Sequence, residues 1–551
     1  MDQRACKKSG QTFEITEKDK DFYTRMNVPL PTLSPQERQR RRLAWRNERT
    51  LYQRKCSGTG KSIIGMYPSD TKFPVYSHEY FFSDKWNAKN YGRDFDFNKP
   101  FFEQFAELLK VAPRILNYSF SNENAEYGNL SSWNKNCYMC FEADNNRDCL
   151  YSDYSFRCAN VVDCSYTKES ELCYQCTDIS KCYNLRYSTN CINCADAWFL
   201  RNCTGCKSCF GCVNMHNKQY YFLNEKLTKE EYFAKLDSLN FSSYEAVQKL
   251  WESFLEFSKK YPHKYINGFQ NENSTGDYLN NCKNAEFCFD SSELRDCKFV
   301  FNCERIKDSY DLDTYGGIEG AELAYECHSV GRGSFNVAFG NNVYQNLINA
   351  YYCDNCADSR DIFGCISLHH GEYCILNKQY SKDEYFNLRE KIVRHMETTG
   401  EWGEFFPIEI SPFAYNETTA QEYYPMTKEE ITEKGYKWKE KDKKEYKKQN
   451  YIVLASINEV DDAICNEILA CKETGKNFKI QQLELGFYRK MGLPVPIYCP
   501  DERHLRRLQF RNPRQLWDRK CDKCGVNINT SYSQDRHEII YCEKCYLETI
   551  I

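Results

Sequence analysis

Residues 137–212 read CYMCFEADNNRDCLYSDYSFRCANVVDCSYTKESELCYQCTDISKCYNLRYSTNCINCADAWFLRNCTGCKSCFGC, and the spacing of the cysteines in this stretch decides the fold. They stand at 137, 140, 149, 158, 164, 173, 176, 182, 191, 194, 203, 206, 209 and 212, so every interval is a multiple of three. Cys140, Cys158, Cys176, Cys194 and Cys212 recur at one constant interval, six such steps long. Other positions in the same phase are small or aliphatic, among them Ala143, Ser152, Val161, Ile179, Leu185 and Ala197, with Asn146 the exception. An amphipathic helix repeats every 3.6 residues or so and a half-buried strand about every 2, and neither period fits. The pattern predicts a β-solenoid with about 18 residues per coil. Its thiols would line a narrow bore as compact hydrophobes. Cluster binding or thiol redox chemistry is the alternative, and it calls for exposed thiols with basic neighbours.

The same phase returns downstream at Gly276, Leu279, Cys282, Ala285, Cys288 and onward to Ile306. It slips between about 328 and 347, then resumes at Leu347, Ala350, Cys353, Cys356 and runs to Cys374. Two solenoids are therefore expected. Their ends repeat each other: CVNMHNKQYYFLNEKLTKEEYF (212–233) aligns with CISLHHGEYCILNKQYSKDEYF (365–386) at an offset of 153. Each carries a Cys-x-x-x-His pair, Cys212/His216 and Cys365/His369, with Cys203 aligned to Cys356. A three-ligand zinc set and a core histidine in a capping turn both fit these residues. Segments 227–260 and 381–396 read as helices that cap the open solenoid ends, whose backbone groups would otherwise stay unpaired. Residues 97–113 read as one helix more.

Outside the solenoids lies a module that occurs twice. Residues 5–81 align without gaps onto 470–546 at a constant offset of 465, with 29 identities over 77 positions. The C-terminal copy holds Cys521, Cys524, Cys542 and Cys545 in the pattern C-x2-C-x17-C-x2-C. This is the spacing of a four-cysteine zinc ribbon, in which two tight turns each aim two thiolates at one Zn2+. Two further half-sites have each lost a thiol, Cys471 facing Thr474 and Cys499 facing Glu502. Cys471, Cys499, Glu502 and His504 are the candidates for a second, weaker metal site. In the N-terminal copy the four half-sites read Cys6/Ser9, Ser34/Glu37, Cys56/Thr59 and Ser77/Tyr80, so it is expected to fold without metal. An aromatic and proline framework (Phe13, Phe22, Tyr23, Pro29, Pro31, Trp45, Tyr52) would hold it.

Between the half-sites each copy is rich in arginine. Residues 37–55 contain Arg41, Arg42, Arg46 and Arg49 with Trp45; residues 502–520 contain Arg506, Arg507, Arg511 and Arg514 with Trp517. A guanidinium offers a rigid fork for phosphate, and aromatics offer stacking platforms for bases. These ten residues are the expected nucleic-acid contacts. Ion pairing with acidic parts of the same chain is the competing expectation.

The totals narrow the classes further. With 551 residues the chain exceeds one hydrophobic core. Against 74 Lys and Arg stand 78 Asp and Glu, a net charge of −4, so a nucleic-acid role would rest on local basic patches. No run of 18 apolar residues is present, and the opening MDQRACKKSGQTFEITEKDKD lacks the apolar core of a signal peptide. A cytoplasmic, reducing location is the expectation, where 32 cysteines serve as metal ligands or buried hydrophobes rather than disulfides. The lysine-rich run 437–451 reads as a solvated face.

The domain plan follows: 1–90, an N-terminal zinc-ribbon-like module with degenerate ligands; 91–124, a helical connector; 125–223, a first solenoid; 224–268, a helical cap; 269–377, a second solenoid; 378–465, a cap and connector; 466–551, a C-terminal zinc-ribbon module. The fold class is mainly β with helical caps.

ACKETGKNF (470–478), FYRKMGLPVP (487–496), RLQFRNPRQLWDRKCDKCG (507–525) and YCEKCY (541–546), set around Cys-rich repeats, resemble uncharacterised Cys-rich proteins of Patescibacteria-type bacteria. The resemblance covers nearly the whole chain and implies a cytosolic zinc-ribbon and Cys-repeat protein; it implies no activity. Thr474, Glu502, Ser9 and Ser34 depart from the paired cysteines of that pattern.

No Walker loop, GxSxG, HExxH or dinucleotide fingerprint occurs, so the enzyme class has no motif behind it. The leading expectation is a non-enzymatic protein that binds RNA through both arginine-rich modules, held apart by the solenoids, with one structural Zn2+. The alternatives are a protein-interaction or self-assembling scaffold, with homo-oligomers open, and a thiol-redox or metal-handling protein.

Overall fold

The computed structural model describes residues 2–241, 243–440 and 446–550. Residues 441–445 of the lysine-rich run lie outside the described residues. No helix among the described residues is long and apolar enough to cross a membrane.

The middle of the chain repeats one three-residue step. An inward side chain is followed by an extended residue, and then by a residue in the left-handed region, as at Asn136, Met139, Glu142, Asn145 and Asp148. A left-handed residue costs about 1–2 kcal/mol unless it is glycine, or asparagine or aspartate that bonds locally. Asn and Asp accordingly hold many of these corners, including Asn160, Asp163, Asp178, Asn190, Asn193 and Asn202. Their amides form ladders from rung to rung, for example Asn124 to Asn136 and Asn136 to Asp148, both at 3.0 Å.

Four such steps complete a turn. Ser165 pairs in parallel with Thr177, Glu171 with Tyr183 and Thr177 with Thr189, the same interval each time. Consecutive strands alternate between two parallel sheets: Asp153–Phe156 and Ser165–Lys168 lie in one, Ala159–Val162 and Glu171–Tyr174 in the other. The expected 18-residue coil is thus corrected to a 12-residue rung. The cysteines that recur every six steps are one and a half rungs apart, on opposite walls of the same bore.

The bore side chains explain the choice of cysteine. The Cys149 thiol donates to the carbonyl of Arg147 at 3.4 Å, and the Cys182 thiol to that of Ser180 at 3.3 Å. Serines at the same kind of position do likewise, Ser170 to Lys168 at 2.8 Å and Ser188 to Arg186 at 3.0 Å. A corner carbonyl inside the bore needs a donor, and a small side chain carrying S–H or O–H supplies one without widening the bore.

A second run of parallel strands, from Gly268–Phe269 to Glu372–Ile375, forms one sheet, which Lys378–Gln379 closes antiparallel. Its phase slip has a concrete cause. Tyr310 pairs with Tyr325, a rung enlarged by one whole step. Tyr325 pairs with Ala338 and Ala338 with Tyr351, each rung holding a single extra residue. Tyr351 pairs with Phe363, and the regular rung is restored. The longest rung takes its extra residues in a glycine-rich turn, where Gly316, Gly317 and Gly320 have positive φ.

Helices close the ends. Lys229–Asp237 and Lys382–Thr399 start from capping boxes at Thr228/Glu231 and Ser381/Glu384 and pack on the last parallel strand of their respective runs. Tyr244–Ser258 and Phe101–Leu109 are the other expected helices.

Both terminal modules share one local plan. A hairpin (Tyr52–Lys55 with Ser62–Gly65; Trp517–Lys520 with Asn527–Thr530) follows an arginine-rich helix (Pro35–Leu43; Pro500–Leu508). Each module touches both parallel runs. Val75–Tyr76 pairs with Arg114–Ile115, just before the first run, while helix Pro35–Leu43 packs on the second. Ile540–Tyr541 pairs with His263–Lys264, just before the second run, while Arg507 reaches Asp163 in the first.

Candidate metal centre

Cys521 closes the hairpin that begins at Trp517. Its N–H donates to the Val526 carbonyl at 2.8 Å and the Gly525 N–H to its own carbonyl at 2.9 Å. Gly525 sits at φ +74°, the left-handed turn that brings Cys524 round to the same side as Cys521. Cys542 then caps the short helix Glu543–Leu547, which places Cys545 one turn on. The four sulfurs all lie within 4.8 Å of one another, with Cys524 and Cys542 3.8 Å apart. A tetrahedral ion with metal–sulfur bonds of about 2.3 Å sets its sulfurs about 3.8 Å apart, so the donor set fits a metal ion. Burial opposes ionisation of Cys521, but N–H groups of Cys542, Cys524 and Lys523 turn towards its sulfur and bring it down to about 6. Burial and the three neighbouring thiols push Cys545 up to about 12, which a cation would reverse. Among the described residues this is the one group of His, Cys, Asp or Glu with that geometry.

The N-terminal copy keeps the frame without the donors. The Ser77 N–H points at Cys56 Sγ at 3.3 Å, as the Cys542 N–H points at Cys521 Sγ at 3.3 Å. A hydroxyl stands where the third thiol would be, with Ser77 Oγ 3.7 Å from Cys56 Sγ.

The expected weaker site does not assemble. Cys471 and Cys499 are buried neighbours, but Glu502 accepts Arg506 Nε at 2.8 Å. His504 faces away from them, with Nδ1 2.8 Å from Asp153 and Nε2 3.7 Å from Glu422. The Cys-x-x-x-His pairs do not converge either. Cys212 and Cys365 point into the bore, whereas His216 is exposed and His369 packs edge-on against Phe81 and Phe82. Burial pushes most bore thiols up, Cys158 and Cys297 to about 12. Cys137 shifts the other way, because the thiols of Cys140 and Cys149 donate to it.

The ten residues expected to meet nucleic acid are placed differently from that expectation. Arg42 is fully buried, with Nε 2.7 Å from Asp313 and Nη1 2.9 Å from Glu326. Arg41 pairs with Glu404 at 2.7 Å, Arg46 with Glu48 and Glu142, and Arg49 with Asp153. Trp45 is fully buried against Phe406, its indole N–H donating to Pro407. Arg507 pairs with Asp163 at 3.0 Å, Arg511 with Asp178 at 3.0 Å and Asp290 at 2.5 Å, and Arg514 with Asp290 at 3.0 Å. Trp517 is half-buried in its hairpin. Arg506 alone of the eight guanidiniums is substantially exposed, at 40%, and it stacks 3.8 Å from the Tyr498 ring centre while pairing with Glu502. The competing expectation, ion pairing inside the chain, describes these side chains.

The acceptors were not visible in the sequence. Glu142, Asp163, Asp178, Asp290, Asp311 and Glu326 all occupy left-handed corners of the rungs, where an acidic residue reads as mere turn chemistry. The two modules use equivalent corners. Arg38 and Arg42 approach Asp311 as Arg503 and Arg507 approach Asp163. Arg38 lies 5.7 Å over the Phe299 ring and Arg503 4.7 Å over Tyr151. Tyr23 meets Tyr325 edge-on at 5.3 Å, and Tyr488 meets Tyr174 edge-on at 5.7 Å. Arg46 and Arg511 each cross to the other run, to Glu142 and Asp290.

A scan of the chain against protein-family models and a search of the curated proteins found no match.

Proposed function

We propose that the protein is a non-enzymatic interaction scaffold. Two β-solenoids of 12-residue rungs form its body, and two zinc-ribbon-like modules staple them together. The ion held by Cys521, Cys524, Cys542 and Cys545 is a single structural Zn2+; four protein thiolates leave no open position for a reacting water. One observation carries this reading: the arginines of both modules meet carboxylates of the two parallel runs rather than solvent. The outward rung faces remain for a partner. They bear exposed Trp133, Tyr183, Ile192 and Phe287, each 42–49% accessible, and the partner class is protein.

RNA binding through the modules would require them to undock. Fluorescence anisotropy with a mixed-sequence RNA, at about 50 and 200 mM salt, separates the two readings. The scaffold reading predicts weak binding that Arg506→Glu leaves unchanged. Tight binding that falls steeply with salt and is lost in Arg506→Glu would replace it with the nucleic-acid reading.

A further inference from the structure

The N-terminal module keeps the ribbon frame but not its charge balance. In the C-terminal copy, Arg519 donates to the carbonyls of Ser533 at 3.1 Å and Glu538 at 3.5 Å, and Asp522 stands 3.6 Å away as its counter-ion. Asp522 also accepts the Ile540 N–H at 2.6 Å. The corresponding residue of the N-terminal copy is Ser57, whose hydroxyl accepts the Val75 N–H at 3.1 Å. The backbone bond survives and the carboxylate is gone.

Arg54, the counterpart of Arg519, is only 8% exposed. It donates to the carbonyls of Tyr67 at 3.4 Å and Pro68 at 2.8 Å and to the Thr71 hydroxyl at 2.8 Å, all neutral. Its Nε has no partner, and no carboxylate pairs with it among the described residues. Asp70, in the same loop, pairs with Lys439 at 3.5 Å and, like the Cys56 thiol, acts on Arg54 without a direct bond, which does not offset its burial. A buried cation without a direct counter-ion is expensive. Arg54 also lines an open cavity of about 530 Å³, together with Lys55, Lys72, Ser57, Ser69 and Thr71. Three cations and three hydroxyls face this space, and no carboxylate does. Nη1 of Arg54 is taken by its own loop and the Thr71 hydroxyl donates to Pro68 at 3.1 Å, which leaves the Lys55 and Lys72 ammoniums and the Ser57 and Ser69 hydroxyls as donors beside the guanidinium charge, a set that suits phosphate.

We propose that this cavity of the N-terminal module binds a phosphate-class oxyanion, which takes the place of the carboxylate that Asp522 supplies in the other copy. The C-terminal module has no such site: it keeps Asp522 and carries His537 where the N-terminal copy has Lys72.

The test is calorimetric titration of inorganic phosphate into the full chain. Saturable binding at one site is expected, weakened roughly tenfold by Lys55→Glu and by Lys72→Glu, since each removes one charge-assisted bond and adds repulsion. Ser57→Asp restores the internal counter-ion and abolishes binding while the module stays folded by circular dichroism. An Arg54 substitution that unfolds the module does not enter the test, because Ser57→Asp and Lys72→Glu act at exposed positions. A phosphoserine peptide that binds more tightly than inorganic phosphate makes the ligand a phosphomonoester; equal affinity makes it free phosphate. Absence of saturable phosphate binding, or binding that none of these substitutions changes, overturns the proposal.

Discussion

Arg42 and Arg507 occupy the same place in the two copies of the module, and each neutralises carboxylates that have no solvent. Removing one partner of a buried pair leaves a stranded charge, at a cost of about 3–5 kcal/mol. Arg42→Met leaves Asp313 without a cation and Asp311 and Glu326 with Arg38 alone, so unfolding of the N-terminal module in urea should shift by an amount in that range. Arg41→Ala, at a half-buried rim pair, should shift it by about 1 kcal/mol or less. His504 makes one dock pH-sensitive. Burial and Arg49 oppose its charge, but Asp153 at Nδ1 and Glu422 beyond Nε2 leave its pKa raised above 6.5. A raised folded-state pKa means that its stabilising contribution is complete below about pH 6.5 and is lost as pH rises through the folded value. Protease resistance of the C-terminal module should therefore fall over that window, and His504→Gln, the residue that Gln39 supplies in the other copy, should flatten the profile. Asp153 acts at the other end of the scale. Arg49 and His504 outweigh its burial and hold it at about 2, so its contribution is lost only as pH drops from about 4 towards 2. At this scale the sequence displayed the donors and concealed their acceptors. Arg42 and Asp313 stand far apart along the chain, and a guanidinium fork suits a carboxylate as well as a phosphate.

The rung was half legible. Its three-residue step follows from the cysteine phase, because each step returns one small side chain to the bore. Its length did not follow, because the six-step cysteine period is one and a half rungs and the ladder of true neighbours, such as Cys137, Cys149, Val161 and Cys173, mixes residue types. The signal that could have found it is the Asn or Asp that recurs at one corner from rung to rung, as at Asn124, Asn136 and Asp148 or at Asn184 and Asp196, whose side chains bond to each other. The four-cysteine centre was legible because all its ligands come from two adjacent turns. The weaker site read from Cys471, Cys499, Glu502 and His504 does not form, because His504 follows the helix face that docks on Asp153. Bore chemistry gives a prediction of its own. Cys182→Ser keeps a donor for the Ser180 carbonyl, as Ser170 serves Lys168, and should lower stability by about 1 kcal/mol or less. Cys182→Phe overfills the bore and should cost about 1–3 kcal/mol or disrupt the rung, read as a drop in melting temperature.

At the scale of the molecule, each module bridges the two parallel runs, with its ribbon strand on the segment that leads into one and its arginine helix on the other. The terminal copies thereby set how the runs sit together, which the linear order of segments does not reveal. Metal removal should act through this arrangement. A chelator that strips the C-terminal centre should loosen the pairing of Ile540–Tyr541 with His263–Lys264 and raise amide exchange there, while exchange in Val75–Tyr76 stays unchanged. Equal acceleration at both strands would mean that the N-terminal frame also depends on metal. The clamp itself is tested most directly by a double-mutant cycle between Arg507 and Asp163, read from the opening free energy of the Pro500–Leu508 amides by hydrogen exchange. The account predicts a coupling of about 3 kcal/mol, the value of a buried charge pair. A coupling below about 0.5 kcal/mol would show that the modules are not held by their arginines, and would return those arginines to the solvent and to an outside partner.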